Sequence, residues 1–316
     1  MSQKFIRVYN HLSTIVPSLS FRAPMLPQLS DDQLFQVFQN GSNPSVFIEL
    51  PHGATKTEHY HTFAQRMPEI DTSMIQFFYT NTDIGTPELA KEVMSLLEET
   101  DVCILQSYIP RTFVDCNRNL ERNLSDYKAA KVTPGLPSYV PEHHHQWLKD
   151  IHKRYTRKAE ELYKKVCGNN GVAIMLHSYA PKSVGIHTVD KDIVEKLRWA
   201  YEPEQYTQWP ERPEIDIICT TLEGVNIAHP ILYKELRALL GTQYTIGSSQ
   251  TYPMHHATMA YAHAQKYFEQ TLCLEIRRDL LVEKFRPCVE LPIQPQRIHH
   301  FAQKIAKAIQ QTLNRI

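Results

Sequence analysis

The sequence predicts an α/β fold in which short buried strands alternate with amphipathic helices. Three observations carry this prediction. The apolar runs are short and rich in β-branched residues, the segments between them carry apolar stripes at helical spacing, and 316 residues can bury a large core. Strands that are apolar on both faces are typical of a layered sheet with helices packed against it.

Five apolar runs are the predicted strands, over residues 45–50, 102–108, 172–176, 215–220 and 271–276. Helices are predicted near residues 86–99, 148–166, 229–240 and 296–316. Two segments, 133–141 and 199–213, are predicted to be long loops, and such loops often cover a functional site. Without a repeat or a linker, residues 1–316 are taken as one domain, with residues 1–40 as an optional extension.

The charge balance argues against nucleic acid and membranes as partners. Lys and Arg number 34 and Asp and Glu also number 34, so no overall field attracts a polyanion or an anionic surface. The N-terminal apolar residues are interrupted too often for a signal peptide. The six cysteines are scattered and form no CxxC pair, which is typical of free thiols in a reducing cytoplasm.

Polar side chains follow four of the predicted strands. His52 comes after the first strand, the segment 110–118 after the second and His177 after the third, while Glu275 lies near the end of the last. Ligands of open α/β sheets bind outside the carboxyl ends of the strands. We therefore expect these side chains to converge on one edge of the sheet.

His52 and His177 together favour a zinc site, because a catalytic zinc takes three protein ligands and leaves one position open. A single histidine would more often be a satisfied core or loop residue, but two at strand ends favour the metal. Asp83 and Glu58 are both candidates for the third ligand. Asp83 can instead cap the following helix, and Glu58 can be a solvated helix residue. Spacing leaves the two carboxylates as alternatives for a site with one Zn²⁺ per chain.

The segment 110–118 carries groups suited to anions. Arginine binds a carboxylate through two parallel hydrogen bonds, so Asn117 and Arg118 are predicted to hold a substrate carboxylate. Arg111 is predicted to stabilise a developing oxyanion. The alternative is that Asp115 and an arginine of this segment form a purely structural ion pair, and this is the role that we expect for Asp115.

Glu275 interrupts an apolar run, where a carboxylate is costly unless it is paired or functional. It is predicted to be the general base, and the alternative is a buried salt bridge to Arg277 or Arg278. His256 lies shortly before this strand and is predicted to line the pocket as a substrate-binding residue.

The order of these motifs resembles that of the N-formylglutamate amidohydrolases. The matching elements are Pro51-His52-Gly53, Thr82-Asp83, Arg111 through Arg118, His177-Ser178 and Leu274-Glu275. The segment RTFVDCNR is the most specific of them. One departure is Met175, which stands where the family usually has an acidic residue two positions before the histidine.

The resemblance implies a three-layer αβα fold of the zinc-exopeptidase, phosphorylase/hydrolase-like type, with a mixed and mostly parallel central sheet. It implies zinc ligands His52 and His177, favours Asp83 over Glu58 as the third, and places Asn117 and Arg118 at the substrate carboxylate. The expected function is hydrolysis of the amide bond of an N-acyl amino acid, such as N-formylglutamate, by a zinc-activated water. The alternatives are a carboxypeptidase-like enzyme acting on a short peptide, and a catalytically silent relative that binds a metal or a small molecule.

Overall fold

The structure, a computed structural model, describes residues 28–186 and 188–316. Most of the predicted extension over residues 1–40 therefore lies outside the described residues. The described strands form one seven-stranded sheet in the order β1-β3-β2-β4-β7-β5-β6. They are β1 Phe35–Gln39, β2 Val46–Leu50, β3 Val102–Ser107, β4 Val172–Tyr179, β5 Ile215–Ile218, β6 Ile246–Ser248 and β7 Thr271–Arg277.

The sheet is mixed and mostly parallel. β2, β3, β4 and β7 run parallel to their neighbours within this central group, whereas β1 pairs antiparallel with β3, and β5 pairs antiparallel with β7. The described helices are α1 Asp31–Leu34, α2 Thr57–Ala64, α3 Met74–Asn81, α4 Thr86–Leu96, α5 Leu124–Ala129, α6 Glu142–Val166, α7 Ile193–Ala200, α8 Pro203–Tyr206, α9 Pro230–Leu240, α10 Met259–Lys266 and α11 Pro295–Leu313.

Helices cover both faces of the sheet. Ile48 and the alternate residues of the central strands pack in one buried cluster with α4, α9 and α11. Phe47 and the residues of the opposite face pack with α6 and with α2, α3 and α7. Since successive side chains of a strand point to opposite faces, a strand that is apolar throughout can serve both layers. This arrangement confirms the predicted three-layer α/β fold.

All five predicted strands and the four predicted helices are present, with small differences at their ends. The edge strands β1 and β6 were not predicted. β1 reads FQVFQ and is largely exposed, and β6 is only three residues long, so neither has a continuous apolar run. The prediction of a loop over residues 199–213 is wrong in part, because α8 lies within it and α7 ends there.

The parallel central strands bring four chain segments to one edge of the sheet. The carboxyl ends of β2, β3, β4 and β7 lead respectively to His52, to the segment 110–118, to the turn after Tyr179 and to Arg278. Among the described helices, none combines the length and the apolar character that crossing a membrane requires.

Candidate active site

His52 lies two residues past the end of β2, in a turn that requires glycine at the next position. A Cβ on Gly53 would lie 2.8 Å from Cγ of Gln106, whose Nε2 donates to the Gly53 carbonyl at 2.9 Å. The imidazole of His52 is held at both nitrogens. Nε2 lies 2.7 Å from Asp115 Oδ1, and Nδ1 lies 3.1 Å from Asp83 Oδ2.

Asp83 lies in the turn between α3 and α4. Gly85 in this turn has a φ of +86°, and a Cβ there would lie 2.9 Å from the Cβ of Leu281. A left-handed residue in such close contact must be glycine. The turn directs the Asp83 carboxylate toward the histidines, and no side chain caps α4. The alternative role of Asp83 as a helix cap is therefore not what the structure shows.

His52, Asp83 and His177 form a buried cluster whose ligand atoms all lie within 4.8 Å of one another. His177 Nδ1 lies 2.8 Å from Asp83 Oδ2, the same oxygen that faces His52 Nδ1. The three residues are 4%, 2% and 2% exposed. Glu58, the alternative carboxylate, is exposed in the first turn of α2 and is not part of the cluster.

The hydrogen bonds around His52 leave a position between the two histidines that attracts a cation. Both ring nitrogens of His52 face carboxylate oxygens, which can only accept, and a neutral imidazole carries one proton. When that proton lies on Nε2, the Nδ1 lone pair faces the Asp83 carboxylate, which is unfavourable without a cation between them. Burial acts to raise the pKa of Asp83, but the two histidines outweigh it and hold this pKa below its usual range.

Asp115 connects the segment 110–118 to His52. Its Oδ2 accepts from Arg111 Nη2 at 2.9 Å and lies 3.4 Å from Arg118 Nη2, while its Oδ1 also accepts from the Asn117 amide at 2.9 Å. Burial acts to raise the pKa of Asp115, but Arg118, His52 and Arg111 hold it well below its usual range. The ion pair that was expected for Asp115 is present, with Arg111 and Arg118 as its partners. The contact of Asp115 with His52 was not predicted, although the position of Asp115 in the segment after β3 could have suggested it.

Asn117 and Arg118 are buried and already have partners. Asn117 Oδ1 accepts from the Ala260 amide at 3.0 Å, and its Nδ2 lies 3.4 Å from His177 Nε2. Arg118 donates from Nε to the Thr133 carbonyl at 3.0 Å and from Nη1 to the Asn117 carbonyl at 3.3 Å. The predicted loop 133–141 thus supports Arg118 from behind.

Arg111 is the most exposed of the arginines around the cluster. Its side chain is 22% exposed, whereas those of Arg118 and Arg278 are 6% and 5% exposed. Its Nη1 lies 3.9 Å from Asp83 Oδ1 and 3.5 Å from His52 Nδ1. This position, beside the cluster and open to solvent, suits the predicted role at a developing oxyanion.

Glu275 is the cross-strand neighbour of His177 on one side and of Asp216 on the other. Burial raises the pKa of Glu275 to about 7, with His177 acting in the opposite direction and Asp83 adding to the rise. Its buried Oε2 has no hydrogen-bond partner within the described chain. The alternative salt bridges are not formed, because Arg277 pairs with Asp279, and Arg278 pairs with Asp83.

Arg278, which the sequence offered only as a salt-bridge partner of Glu275, is a further neighbour of the cluster. Its Nη2 lies 3.5 Å from Asp83 Oδ1 and donates to the Ser178 carbonyl at 3.1 Å, and Nη1 donates to the Thr80 carbonyl. His256 lies apart from the cluster. Its Nε2 is 3.0 Å from Asp126 Oδ1, and its side chain is 39% exposed.

The acid that the resemblance leads one to expect at position 175 has a counterpart on the neighbouring strand. Met175 of β4 is in register with Glu49 of β2, and Glu49 is buried at 1% exposure. Glu49 accepts hydrogen bonds from the hydroxyls of Tyr155 at 3.1 Å and Tyr163 at 2.8 Å, both on α6. The carboxyl group of Glu49 therefore lies on the strand next to Met175, but its hydrogen bonds are made with tyrosines and not with the histidines of the cluster.

Comparisons with solved structures support the fold. The N-formylglutamate amidohydrolase from Ralstonia eutropha JMP134 superposes with a TM-score of 0.57 at 14% identity, over 90% of this chain and 100% of that chain. A gene product of Agrobacterium tumefaciens superposes with a TM-score of 0.54 at 13% identity, over 92% of this chain and 99% of that chain. No curated protein matches the sequence significantly.

The family assignment comes from the sequence itself. A family model described as N-formylglutamate amidohydrolase matches residues 45–282, the range that contains His52, Asp83, His177 and Glu275. This range is well over half of the chain and agrees with the predicted resemblance. The chain therefore belongs to the N-formylglutamate amidohydrolase family, and its family supports an amidohydrolase activity.

Proposed function

We propose that this protein hydrolyses the amide bond of an N-acyl amino acid, with N-formylglutamate as the first substrate to test, and that it requires one zinc ion per chain. The observation that carries the proposal is the convergence of two histidine Nδ1 atoms on one oxygen of Asp83 in a buried cluster. Family membership supports the reaction class, and the cluster supports the metal.

The residues of the cluster fit a catalytic zinc. His52, Asp83 and His177 supply two nitrogens and one carboxylate oxygen, which is a donor set that zinc accepts in hydrolases. Asp115 holds the far nitrogen of His52, and Arg278 holds the second oxygen of Asp83. Such outer contacts orient the ligands and raise the affinity for the metal. When bound, zinc would polarise the amide carbonyl and lower the pKa of a water.

Glu275 is the proposed proton carrier of the reaction. A carboxyl group with a pKa of about 7 can accept a proton from the attacking water and donate it to the departing amine. Its free Oε2 and its place next to His177 on the adjacent strand support this role. Arg111 lies beside the cluster and supplies positive charge where the amide oxygen becomes negative.

Asn117 and Arg118 are the proposed site for the α-carboxylate of the substrate. Their place between His177 and the loop 133–141 supports a role close to the scissile bond. Thr133, Asn117 and Asp115 engage three of the five N–H donors of Arg118, which leaves two donors for the substrate. His256, which lies farther out and pairs with Asp126, is proposed only as a peripheral contact of the substrate.

The test combines metal analysis with a panel of substrates. We expect one equivalent of zinc per chain, loss of activity after chelation and recovery when zinc is restored. Of N-formyl, N-acetyl and N-succinyl amino acids, at least one class should be hydrolysed with a zinc-dependent rate. Full activity in a metal-free sample would refute the zinc requirement, and hydrolysis of none of the amides, with zinc present, would refute the proposed function.

A further inference from the structure

Arg212 lies beside the proposed catalytic centre, in the segment between α8 and β5, and its guanidinium is packed between two tyrosines. Its Cζ lies 5.1 Å from the ring centre of Tyr179 and 5.6 Å from that of Tyr252. Nε donates to Ser183 Oγ at 3.0 Å. Stacking on aromatic rings fixes the plane of a guanidinium while leaving its terminal nitrogens free to bind.

The terminal nitrogens of Arg212 have no ion-pair or hydrogen-bond partner in residues 28–186 and 188–316. The other arginines near the cluster differ, because Arg111, Arg118 and Arg278 each pair with Asp83 or Asp115. Arg212 is half-buried, so it is reachable from solvent without being fully hydrated. A fixed, partly desolvated and unpaired guanidinium fork is suited to binding a carboxylate.

Arg212 also lies close to the proposed metal ligands. Tyr179 is two residues past His177 on β4, so their side chains are on the same face of the sheet, and Arg212 packs on Tyr179. Tyr252 is close enough to Arg111 to affect its pKa, and the same tyrosine packs on Arg212. Arg212 therefore lies beside the proposed metal ligands, and it shares Tyr252 as a neighbour with Arg111.

The charges around the cluster favour an anionic substrate with more than one negative group. Arg111, Arg118 and Arg278 share only two carboxylate partners, Asp83 and Asp115, and Arg212 adds a fourth guanidinium that has no carboxylate partner in the described residues. A zinc ion would increase the positive excess. Arg118 can neutralise one substrate carboxylate, which leaves Arg212 for a second.

We propose that Arg212, held between Tyr179 and Tyr252, binds a second carboxylate of the substrate, distal to the scissile amide, and selects acidic over neutral amino-acid side chains. This inference rests on the proposed function, because it places the substrate in the same site. Arg212 acts in specificity and takes no part in bond breaking. Removing it should weaken the binding of acidic ligands by about 10- to 100-fold, the range for a charge-assisted hydrogen-bonded pair.

The experiment measures equilibrium binding, so it does not depend on turnover. L-glutamate and L-glutamine, which differ only in the distal group, are titrated calorimetrically into the zinc-loaded protein and into its Arg212→Met variant. Arg237→Met is the matched control, because Arg237 also packs on a tyrosine, Tyr233, and bonds to a serine hydroxyl, Ser248, but lies at β6. Arg118→Met reports on the α-carboxylate, which both ligands share. Melting temperatures verify that each variant is folded.

We expect the wild-type protein and Arg237→Met to prefer glutamate, Arg212→Met to bind both ligands equally weakly, and Arg118→Met to weaken both ligands alike. An equal affinity of the wild-type protein for the two ligands would overturn the proposal, as would a preference that survives in Arg212→Met or an absence of binding to both. Hydrolysis of N-acyl amides is assayed on the same samples. A glutamate preference that depends on Arg212, without hydrolysis of any amide, would support the carboxylate site at Arg212 and refute the proposed function.

Discussion

Two groups of two histidines and one carboxylate occur in the described chain, and they differ in burial and support. His52, Asp83 and His177 are nearly inaccessible, whereas Glu69, His143 and His144 lie at the surface near the start of α6. In the surface group, both histidines point Nε2 at Glu69 Oε1 at 2.8 Å. Ligand types and distances are thus similar in the two groups.

The difference lies in what stands behind each ligand. Asp115 holds the second nitrogen of His52, and Arg278 approaches the second oxygen of Asp83. In the surface group, the His143 side chain is 68% exposed and can rotate away. A metal site needs ligands that are fixed before the metal arrives, and exposed side chains lose rotamer entropy on binding. The contacts that hold the ligands, more than the ligands themselves, therefore separate the proposed metal centre from the surface cluster.

The largest expected effect separates the two groups directly. His177→Ala should remove the tightly bound zinc and abolish activity, because two ligands cannot hold a catalytic zinc firmly. His144→Ala should leave both zinc and turnover unchanged. Elemental analysis after dialysis and a turnover assay on both variants check this pair. Loss of the zinc equivalent in His144→Ala, with zinc retained in His177→Ala, would reverse the assignment.

The next largest effect is expected at Glu275, which lies beside His177 of the buried cluster. Glu275→Gln keeps the shape of the side chain but cannot accept a proton, so turnover should fall by about 10²- to 10⁴-fold. Zinc content and melting temperature should stay close to those of the wild-type protein. Turnover within a factor of two of wild type would exclude a proton-transfer role, and loss of zinc would instead make Glu275 a ligand.

Glu49 shows what burial does to a carboxyl group that has no cationic partner. Burial raises its pKa from 4.5 to about 7, and the hydrogen bonds from Tyr163 and Tyr155 only partly oppose the rise. Because the pKa of Glu49 is higher in the folded state than in the unfolded state, the protonated side chain stabilises the fold. Its contribution to the free energy of unfolding is complete below pH 4.5 and is lost as the pH rises through 7. The loss by pH 8 should be about 3 kcal/mol.

Glu49→Gln should remove this pH dependence, because the amide stays neutral and a tyrosine hydroxyl can also accept from it. Denaturant unfolding of both proteins between pH 5 and pH 8 measures the change, and the difference between them isolates Glu49 from other titrating groups. Parallel pH profiles of the two free energies of unfolding would show that Glu49 does not titrate in this range.

The smallest expected effect tests the support behind His52. Asp115→Asn should lower zinc affinity by about 10- to 100-fold, as is typical when the partner of a ligating histidine is changed. The variant also leaves Arg111 and Arg118 without their shared carboxylate, so its melting temperature is measured in parallel. A destabilised protein with unchanged zinc affinity would show that Asp115 serves the arginines and not His52.

The histidines of the buried cluster were predictable, and the choice of their carboxylate was not. His52 follows β2, and His177 lies near the carboxyl end of β4, which continues two residues beyond it instead of ending at Leu176 as predicted. Both positions are visible in the sequence as the limits of apolar runs. Asp83 could not be separated from Glu58 by spacing, because its direction depends on the left-handed turn at Gly85 and on the contact of that turn with Leu281. Such a contact joins residues far apart in the chain and leaves no local pattern.

The position of Arg212 and the edge strands β1 and β6 also depend on contacts between distant parts of the chain, so no local sequence pattern predicts them. Arg212 is positioned by Tyr179 and Tyr252, which come from two other parts of the chain, and by a bridge between Lys182 and Glu211. The sequence marked the segment 199–213 as unusual but could not indicate which of its residues faces the site. β1 and β6 are paired on one side only and carry polar residues, so tertiary pairing forms them without a continuous apolar run.

The position of β7 in the sheet has a consequence for how the protein is made. β7 is the last strand in the chain, yet it lies between β4 and β5 in the centre of the sheet. During synthesis on a ribosome, β5 and β6 emerge before β7 and can pair with each other, but they cannot join the rest of the sheet until Thr271–Arg277 has followed them. That strand carries Glu275, and Arg278 comes directly after it. The same short segment of the nascent chain therefore completes the sheet and supplies the proposed proton carrier.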